Sequence, residues 1–218
     1  MPLLESDLAA ITPEPSPPAS DRAPDWVATG TPEPLRSQLV DLLGEDRVLS
    51  RASDIIRYAS DASPYRKLPQ VVIMARDAGD VGKVLEYGRR TGMPVTFRAG
   101  GTSLNGQGQT DSILVDVRKH FGGVTVLDDG ARVKTGPGVV LGDVNNSGGM
   151  RCGVTYDSYQ TIEAMTFITP SGTVIDTTEE GCEEKFAAAE PLLARGLMEI
   201  RQEILDDEDL VKRIRFKF

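Results

Sequence analysis

Cysteine and histidine are scarce in this chain, which has two cysteines and one histidine among its 218 residues. Cys152 and Cys182 stand far apart and form neither a CxxC pair nor a disulfide framework, so we expect a reducing compartment. His120 lies in a predicted surface turn, and so few nitrogen and sulfur ligands argue against a transition-metal site. A serine hydrolase is not expected either, because neither Ser103 nor Ser147 has a histidine near it in the sequence.

Long apolar runs and an excess of basic residues are also missing. No stretch of about 18 apolar residues occurs, so the sequence predicts no transmembrane helix. The first residues lack the basic segment and the apolar run of a secretory signal, and we therefore expect a cytoplasmic protein. Lysine and arginine number 24 against 33 aspartates and glutamates, which gives a net charge of −9. That balance argues against non-specific binding to nucleic acid.

The common nucleotide-binding signatures are absent too. Residues 136–142 (GPGVVLG) are similar to a dinucleotide fingerprint, but the spacing is off by one. Pro137 also lacks the N–H from which a pyrophosphate would accept a hydrogen bond. No glycine loop is followed by the GK[ST] of a P-loop. A Rossmann domain and a P-loop NTPase are therefore not expected.

Composition divides the chain into three parts. Hydrophobic residues make up 39% of it, which is enough for a packed core. Residues 11–34 are rich in proline, serine and acidic side chains, and we predict a disordered tail over residues 1–33. Leucines recur at helical spacing over residues 34–43, within a predicted N-terminal helical segment, 34–64. The main domain then covers residues 65–218.

The main domain begins with a pattern of alternating strand and helix. An apolar run at 71–74 predicts a strand, and Asp80 is expected to cap a helix that ends at Gly92. A second strand follows at 94–97. Strand, helix and strand at this spacing form a βαβ unit, which predicts a small parallel subdomain.

The later part of the domain has short strands and tight turns. The predicted strands lie at residues 113–117, 123–127, 131–135, 164–169 and 173–176. Asp128-Asp129-Gly130 is a strong hairpin signal, so we expect a second, mainly antiparallel sheet. Apolar residues at helical spacing over 183–206 predict flanking helices. The predicted fold class is α+β.

One glycine-rich loop carries the most information about function. It runs Arg98-Ala99-Gly100-Gly101-Thr102-Ser103-Leu104-Asn105-Gly106-Gln107, directly after the predicted strand at 94–97. Its small residues leave many backbone N–H groups uncovered, which suits a concave nest of donors around a phosphate. Arg98 adds a positive charge, and open α/β sheets usually bind ligands at the carboxyl ends of their strands. An ordinary glycine-rich turn accounts for the same residues equally well.

A second cluster of small residues runs Asn145-Asn146-Ser147-Gly148-Gly149-Met150-Arg151-Cys152-Gly153. It again leaves amides bare beside a positive charge, here that of Arg151. Two amide-rich loops and a β-hairpin can together clamp an extended anion, such as a dinucleotide with its pyrophosphate. Two unrelated turns are the alternative that the residues leave open.

Taken in order, five segments resemble the FAD-binding domain of the p-cresol methylhydroxylase / vanillyl-alcohol oxidase (PCMH) type. More narrowly, they are similar to the flavin subunits of FAD-linked D-lactate dehydrogenase and glycolate oxidase. The segments are 68–72 (LPQVV), the loop 98–107, 133–139 (VKTGPGV), 146–150 (NSGGM) and the run from Met165 to Ile175. The resemblance begins near Tyr58 and implies that residues 65–218 are an FAD-binding PCMH-type domain.

The resemblance implies a set of residues around FAD. It places Ala99 to Ser103 and Asn105 to Gln107 at the pyrophosphate and ribityl chain, and the backbone of Val174 and Ile175 at the adenine. Gly136 and the segment 146–153 are implied to lie along the flavin and its phosphates. The complete implied set is Arg98, Ala99, Gly100, Gly101, Thr102, Ser103, Asn105, Gly106, Gln107, Gly136, Asn146, Ser147, Gly148, Gly149, Gly153, Val174 and Ile175.

The way FAD is held also follows from the resemblance. Some members of the family tether FAD covalently through a histidine directly after the Gly-Gly pair. Thr102 stands at that position here. We therefore expect any FAD to be bound without a covalent link.

The sequence departs from the family in two places. Relatives have a long stretch, with a further glycine loop, between the counterparts of Asn145 and Asn146. Here the two flanks are joined directly, and Leu141 to Asn145 leave barely one helical turn. Relatives also continue beyond the counterpart of Phe218 into a substrate-binding domain.

Three functions remain open at this stage. The first is the FAD-binding portion of a flavin-dependent oxidoreductase that acts on a 2-hydroxy acid such as D-lactate or glycolate, with a partner subunit or electron acceptor. The second is a non-catalytic module that binds a flavin or nucleotide. The third is an inactive, internally shortened fragment. No catalytic residue is assigned under any of them.

Overall fold

The computed structural model describes residues 23–140 and 161–217. The chain joins the fold earlier than we predicted. Residues Asp25–Thr29 form a 3-10 helix that buries Val27. The Thr31 hydroxyl donates to the Gln70 carbonyl oxygen at 2.7 Å. The predicted tail is therefore wrong for residues 25–31, because a few apolar and hydroxyl groups suffice to anchor them, and residues 1–22 lie outside the described ranges.

A four-stranded sheet forms the centre of the described structure. Its strands, in chain order, are β1 (Val48–Leu49), β2 (Val71–Met74), β3 (Val95–Arg98) and β4 (Ile113–Asp116). Their order across the sheet is β1-β2-β4-β3. β4 pairs in parallel with both β2 and β3, whereas β1 is antiparallel to β2. The carboxyl ends of β2, β3 and β4 therefore lie at one edge of the sheet.

The position of β4 corrects the sequence-based prediction. We expected residues 113–117 to start an antiparallel sheet, but β4 lies between β2 and β3 and is parallel to both. The physical reason is hydrophobic burial: Ile113, Leu114 and Val115 have no solvent exposure. A strand covered on both faces belongs in the interior of a parallel sheet.

Three helices cover this sheet. They are α1 (Leu35–Leu43), α2 (Ala52–Arg57) and α3 (Ala78–Thr91). The carboxylate of Asp77 accepts a hydrogen bond from the Asp80 N–H at 2.9 Å, so Asp77 caps α3. Asp80, the cap we had predicted, is instead buried inside the first turn. Gly92 ends α3 in the left-handed conformation, as the sequence predicted.

The hydrophobic core lies between the sheet and the helices. Leucines of α1 pack with valines of α3 and the apolar residues of the strands. The buried members of this cluster are Leu35, Leu39, Leu43, Val48, Val71, Ile73, Ala75, Val81, Val84, Tyr87, Ile113, Val115 and Val117. This core holds the carboxyl edge of the sheet in place.

Beyond this sheet, the described residues also form two hairpins and three α-helices. The hairpins pair β5 (Val124–Leu127) with β6 (Arg132–Thr135), and β7 (Thr166–Ile168) with β8 (Val174–Asp176), both antiparallel. The helices are α4 (Cys182–Ala189), α5 (Pro191–Asp206) and α6 (Glu208–Lys217). Both hairpins and the helices over 183–206 confirm the sequence predictions, whereas α6 was not foreseen. The predicted α+β class is confirmed.

Candidate functional site

The glycine-rich loop starts where β3 ends, at the carboxyl edge of the parallel strands. Ala99, Gly100 and Thr102 are exposed, while Gly101 and Ser103 are half-buried. Gly101 has φ of +66°, a left-handed conformation that glycine adopts without steric cost. The loop therefore turns sharply and keeps its backbone accessible to solvent.

Five successive backbone N–H groups of this loop are left without a protein partner among the described residues. Within the described parts of the chain, the N–H groups of Gly100 to Leu104 donate no hydrogen bond to other protein groups. The carbonyl oxygen of Gly101, by contrast, accepts from the Ala62 N–H at 2.9 Å. One face of the loop is thus tied to the fold, and its donors are left for water or a ligand.

Arg98 lies beneath the loop rather than beside its exposed face. Its Nε donates to the Gly108 carbonyl oxygen at 2.8 Å, and its Nη1 donates to the Ser60 carbonyl oxygen at 3.2 Å. The guanidinium also lies over the ring of Tyr58, 5.7 Å from the ring centre. The residue is 8% exposed, and this burial lowers its pKa. Arg98 therefore closes the base of the loop and places a positive charge under it.

Gln109 joins the far end of the loop to the segment before β2. Its side-chain Nε2 donates to Asp61 Oδ1 at 2.7 Å, to the Tyr65 carbonyl oxygen at 2.8 Å, and to the Ser63 hydroxyl at 3.2 Å. Hydrogen bonds from Ser63 and Gln109 lower the pKa of Asp61. Asp61 is therefore held as a carboxylate beneath the loop, near Arg98.

A tyrosine and an aspartate complete the support. The Tyr58 hydroxyl donates to Asp116 Oδ2 at 2.6 Å, and the Arg118 N–H donates to Asp116 Oδ1 at 2.8 Å. Asp116 ends β4 and is 3% exposed. Burial, followed by the hydrogen bond to Asp116, raises the pKa of Tyr58 to about 12. Tyr58 is therefore a neutral hydrogen-bond donor over the ordinary pH range.

Gly136 lies close to the same edge of the sheet. Its N–H donates to the Gly123 carbonyl oxygen at 3.0 Å, and a Cβ built on it would lie 2.0 Å from the Phe121 carbonyl oxygen. A Cβ on Gly138 would lie 2.7 Å from the carbonyl oxygen of Val117, whose N–H donates to the Arg98 carbonyl oxygen at 3.1 Å. The structure thus brings the segment of Gly136 to the residues that follow β4, next to the start of the loop.

The other predicted site residues are placed differently. Val174 and Ile175 lie in β8, where they pair with Ile168 and Phe167, and Ile175 is buried. The turn between β7 and β8 contacts α3, because a Cβ on Gly82 would lie 2.8 Å from the Gly172 carbonyl oxygen. Asn146, Ser147, Gly148, Gly149 and Gly153 lie outside the described residues.

Four residues at the site were missed by the sequence analysis: Tyr58, Asp61, Gln109 and Asp116. Each contacts a partner that is distant in the chain, as in the pair Tyr58 and Asp116. The sequence held only a weak signal for these residues. A polar residue that ends a wholly apolar strand, as Asp116 does, marks the carboxyl edge of a parallel sheet.

A cleft adjoins the loop. It has a volume of about 290 Å³ and is lined by Tyr65, Arg66, Lys67, Asn105, Gly106 and Gln109. Residues 23–140 and 161–217 contain no group of three or more acidic, histidine or cysteine side chains able to hold a metal ion. In the same ranges, no helix is long and apolar enough to cross a membrane.

The part of the chain that carries the glycine-rich loop matches a known protein family. The profile of a family described as "FAD binding domain" matches residues 69–147. This match covers about a third of the chain. The match includes the loop at Ala99–Gln107 and also Gly136. It confirms the resemblance to FAD-binding domains and supports FAD as the cofactor.

The curated proteins that match this chain share the name D-2-hydroxyglutarate dehydrogenase. A D-2-hydroxyglutarate dehydrogenase of Pseudomonas putida is 35% identical over 91 residues, which are 40% of this chain and 9% of the relative. The protein of the same name from Haemophilus influenzae is 28% identical over 105 residues, 46% of this chain and 10% of the relative. The chain thus spans about a tenth of the length of these relatives.

Solved structures support the fold. A 6-hydroxy-D-nicotine oxidase from Arthrobacter nicotinovorans aligns with a TM-score of 0.50 and 24% identity, covering 62% of this chain and 36% of that one. A variant of Phl p 4, described as a glucose dehydrogenase, aligns with a TM-score of 0.53 and 17% identity over 69% of this chain and 39% of that one. At these identities the likeness establishes the architecture alone.

The residues of the glycine-rich loop, 98–107, fit a diphosphate. The loop offers N–H groups without protein partners among the described residues, which is the donor set that phosphate oxygens accept from. The small side chains of Ala99, Gly100 and Gly101 leave room for close approach. No acidic side chain within the loop opposes an anion, since residues 98–107 contain neither aspartate nor glutamate.

Proposed function

We propose that the chain binds FAD without a covalent link, with the N–H groups of Ala99 to Ser103 around its pyrophosphate. The observation that carries the proposal is the row of N–H groups from Gly100 to Leu104, at the carboxyl edge of the sheet, which have no protein partner among the described residues. Arg98 contributes its charge from below, where it is partly desolvated and therefore less screened by water. The match of residues 69–147 to the FAD binding domain family supports the same assignment.

Further parts of the chain complete the proposed site. Asn105, Gly106 and Gln107 follow the donors and adjoin the 290 Å³ cleft, which suits the ribityl hydroxyls. Gly136 allows close backbone packing beside the loop. Residues 146–153 and the backbone of Val174 and Ile175 are proposed to contact the flavin phosphates and the adenine, respectively.

We further propose that the chain is the FAD-binding portion of an oxidoreductase that acts on a 2-hydroxy acid. Bound flavin would supply hydride acceptance, while the protein supplies binding and orientation. The name shared by the curated relatives supports a 2-hydroxy acid. We keep D-lactate and glycolate as substrates to test beside D-2-hydroxyglutarate. A cytoplasmic location remains a prediction of the sequence.

One observation favours a second candidate, a binding module without its own catalysis. The titratable groups next to the loop are poorly suited to take a proton from a substrate. Asp61 is held as a carboxylate by two donors, and the pKa of Tyr58 is raised to about 12. Flavin reduction separates the candidates: bleaching of bound flavin by a 2-hydroxy acid supports the oxidoreductase, and FAD binding without bleaching supports the module.

The binding proposal is tested with two variants at one exposed position. Thr102→Asp places a carboxylate beside the proposed pyrophosphate, whereas Thr102→Asn is nearly the same size and carries no charge. At about 4 Å, two unit charges repel by roughly 1 kcal/mol in water and more near protein, so we expect FAD to bind at least about tenfold more weakly to Thr102→Asp. Thr102→Asn should bind within about threefold of the parent, as judged by flavin fluorescence titration.

Competition by parts of FAD tests independently whether the pyrophosphate is what the loop binds. ADP contains the pyrophosphate and adenosine, and riboflavin contains neither. We expect ADP to compete with FAD and riboflavin to compete poorly. A parent protein that takes up no FAD, or a Thr102→Asp variant that binds like Thr102→Asn, would contradict a diphosphate at this loop.

A further inference from the structure

The glycine-rich loop contains the one Asn-Gly pair of the sequence, Asn105-Gly106. Such a pair is prone to deamidation, in which the backbone nitrogen of the second residue attacks the side-chain amide of the first. Glycine favours this attack because it has no Cβ to hinder the approach. The other two asparagines, Asn145 and Asn146, precede an asparagine and a serine, respectively. In a folded protein the reaction further requires that both reacting groups be accessible and free of hydrogen bonds.

The structure leaves both reacting groups of this pair free. Asn105 is exposed, and its side chain forms no hydrogen bond within the described residues. The Gly106 N–H likewise has no protein partner in that part of the chain. The groups on either side are tied, because the Asn105 N–H donates to the Ser103 hydroxyl at 3.2 Å and the Gly106 carbonyl oxygen accepts from the Gln109 N–H at 3.1 Å. The turn is therefore held in place while the attacking nitrogen and the amide carbon are held by no hydrogen bond.

The fold itself favours glycine at position 106. Gly106 has φ of +75°, a left-handed conformation that residues with a side chain rarely adopt. A Cβ built on it would also lie 2.9 Å from Cδ2 of the Tyr65 ring, which packs against this glycine. A larger residue at position 106 would slow the attack on Asn105, but both the backbone conformation and this contact disfavour one.

We propose that Asn105 is a site of spontaneous deamidation, which places a carboxylate in the glycine-rich loop. The Gly106 nitrogen loses its proton and bonds to Cγ of Asn105, while the side-chain amide nitrogen leaves as ammonia. The product of this step is a cyclic succinimide. Water then opens the ring at either carbonyl, which gives aspartate or isoaspartate. The net reaction consumes one water and releases one ammonia.

Either product changes the loop. Residues 98–107 contain neither aspartate nor glutamate, so the new carboxylate is the first negative charge there. Isoaspartate also adds one carbon to the main chain before Gly106, which displaces the packing of Gly106 against Tyr65. The consequence for the cofactor rests on the proposed function. We expect the deamidated chain to bind FAD about tenfold more weakly, because like charges a few ångströms apart repel each other.

Ageing of the full 218-residue chain tests the modification. The chain is kept without FAD in mildly alkaline buffer, beside a synthetic peptide of residues 100–110, and both are followed by peptide mass spectrometry. We expect Asn105 to deamidate at a rate comparable to that of the peptide, well before Asn145 and Asn146, and faster at higher pH because the attacking nitrogen must lose a proton. The control Asn105→Gln should not form this early acidic product, since glutamine must close a larger ring.

Circular dichroism during ageing shows that the chain stays folded. A folded chain in which Asn105 stays intact while the peptide deamidates would overturn the proposal. Ion exchange then separates the deamidated chain from the intact chain, and flavin fluorescence titration compares their affinities for FAD. Weaker binding by the deamidated chain supports a carboxylate close to the cofactor, and equal affinities would overturn that placement. Failure of the intact chain to take up FAD would contradict the proposed function instead, while the ageing rates would still decide whether Asn105 is modified.

Discussion

The close approach of Gly136 to the backbone of Phe121 predicts that a larger residue at position 136 destabilises the protein. A Cβ at this position would lie 2.0 Å from the Phe121 carbonyl oxygen and 2.8 Å from its carbonyl carbon. Both are backbone atoms, so no side-chain rotation relieves the clash, and Gly136→Ala must move one of the two segments. Gly123 supplies the matched control, because a Cβ there would meet nothing within 4 Å.

The magnitude follows from what the movement breaks. Displacing residue 136 disturbs the hydrogen bonds from Gly136 N–H to the Gly123 carbonyl and from Gly138 N–H to the Phe121 carbonyl, both 3.0 Å long. At about 1 kcal/mol for each bond, with about 1–3 kcal/mol for overpacking, we expect Gly136→Ala to cost about 3–5 kcal/mol of unfolding free energy. Gly123→Ala breaks neither hydrogen bond and causes no overpacking, so its unfolding free energy should stay within about 0.5 kcal/mol of the parent value.

The assay is urea unfolding followed by circular dichroism, with the slope of the transition compared between variants. Gly136→Ala should lower the transition midpoint, and FAD should also bind it more weakly because Gly136 lies next to the start of the loop. Equal midpoints for Gly136→Ala and Gly123→Ala would refute the close approach. Loss of stability with unchanged FAD affinity would separate Gly136 from the binding site.

Three further predictions concern the support of the loop. Tyr58→Phe leaves Asp116 Oδ2 without its donor, and we expect a loss of about 1.5–3 kcal/mol in thermal or urea unfolding, with a smaller loss contradicting the buried hydrogen bond. The folded pKa of Tyr58, about 12, lies above the ordinary tyrosine pKa of 10.0, so the stabilisation from its hydrogen bond is complete below pH 10 and is lost as pH rises towards 12. Parent stability should therefore fall between pH 10 and 12 more steeply than that of Tyr58→Phe. Gln109→Leu removes the hydrogen bonds that Nε2 donates to Asp61 and to the Tyr65 carbonyl and should weaken FAD binding about tenfold, whereas the control Gln70→Leu, at the amino ends of the strands, should not.

Local sequence patterns were sufficient for most elements. The leucine spacing of α1, the glycine that ends α3 and the turn residues between β5 and β6 each depend on neighbours in the chain, and each prediction was confirmed. The cap of α3 was wrong because Asp77 and Asp80 are both good capping residues, and only the backbone geometry distinguishes them.

Long-range arrangement was harder to predict. The run ILVDV at 113–117 was assigned to an antiparallel hairpin because short turns follow it, although its uninterrupted apolar character is typical of an interior parallel strand. The loop at Arg98 was recognised by its composition. Its support by Gln109 and Tyr58 was not, since those contacts join residues more than 40 positions apart.

The strand order β1-β2-β4-β3 has a consequence for synthesis of the chain. β3 emerges from the ribosome before β4, yet β4 is its sole neighbour within the described sheet. The glycine-rich loop that follows β3 is therefore translated before β4, the strand that anchors it. A nascent chain that ends before Ile113 would carry that turn on an unpaired strand, so cofactor loading should begin only after β4 has been made. Arrested chains that end on either side of β4 would differ in their capacity to retain flavin.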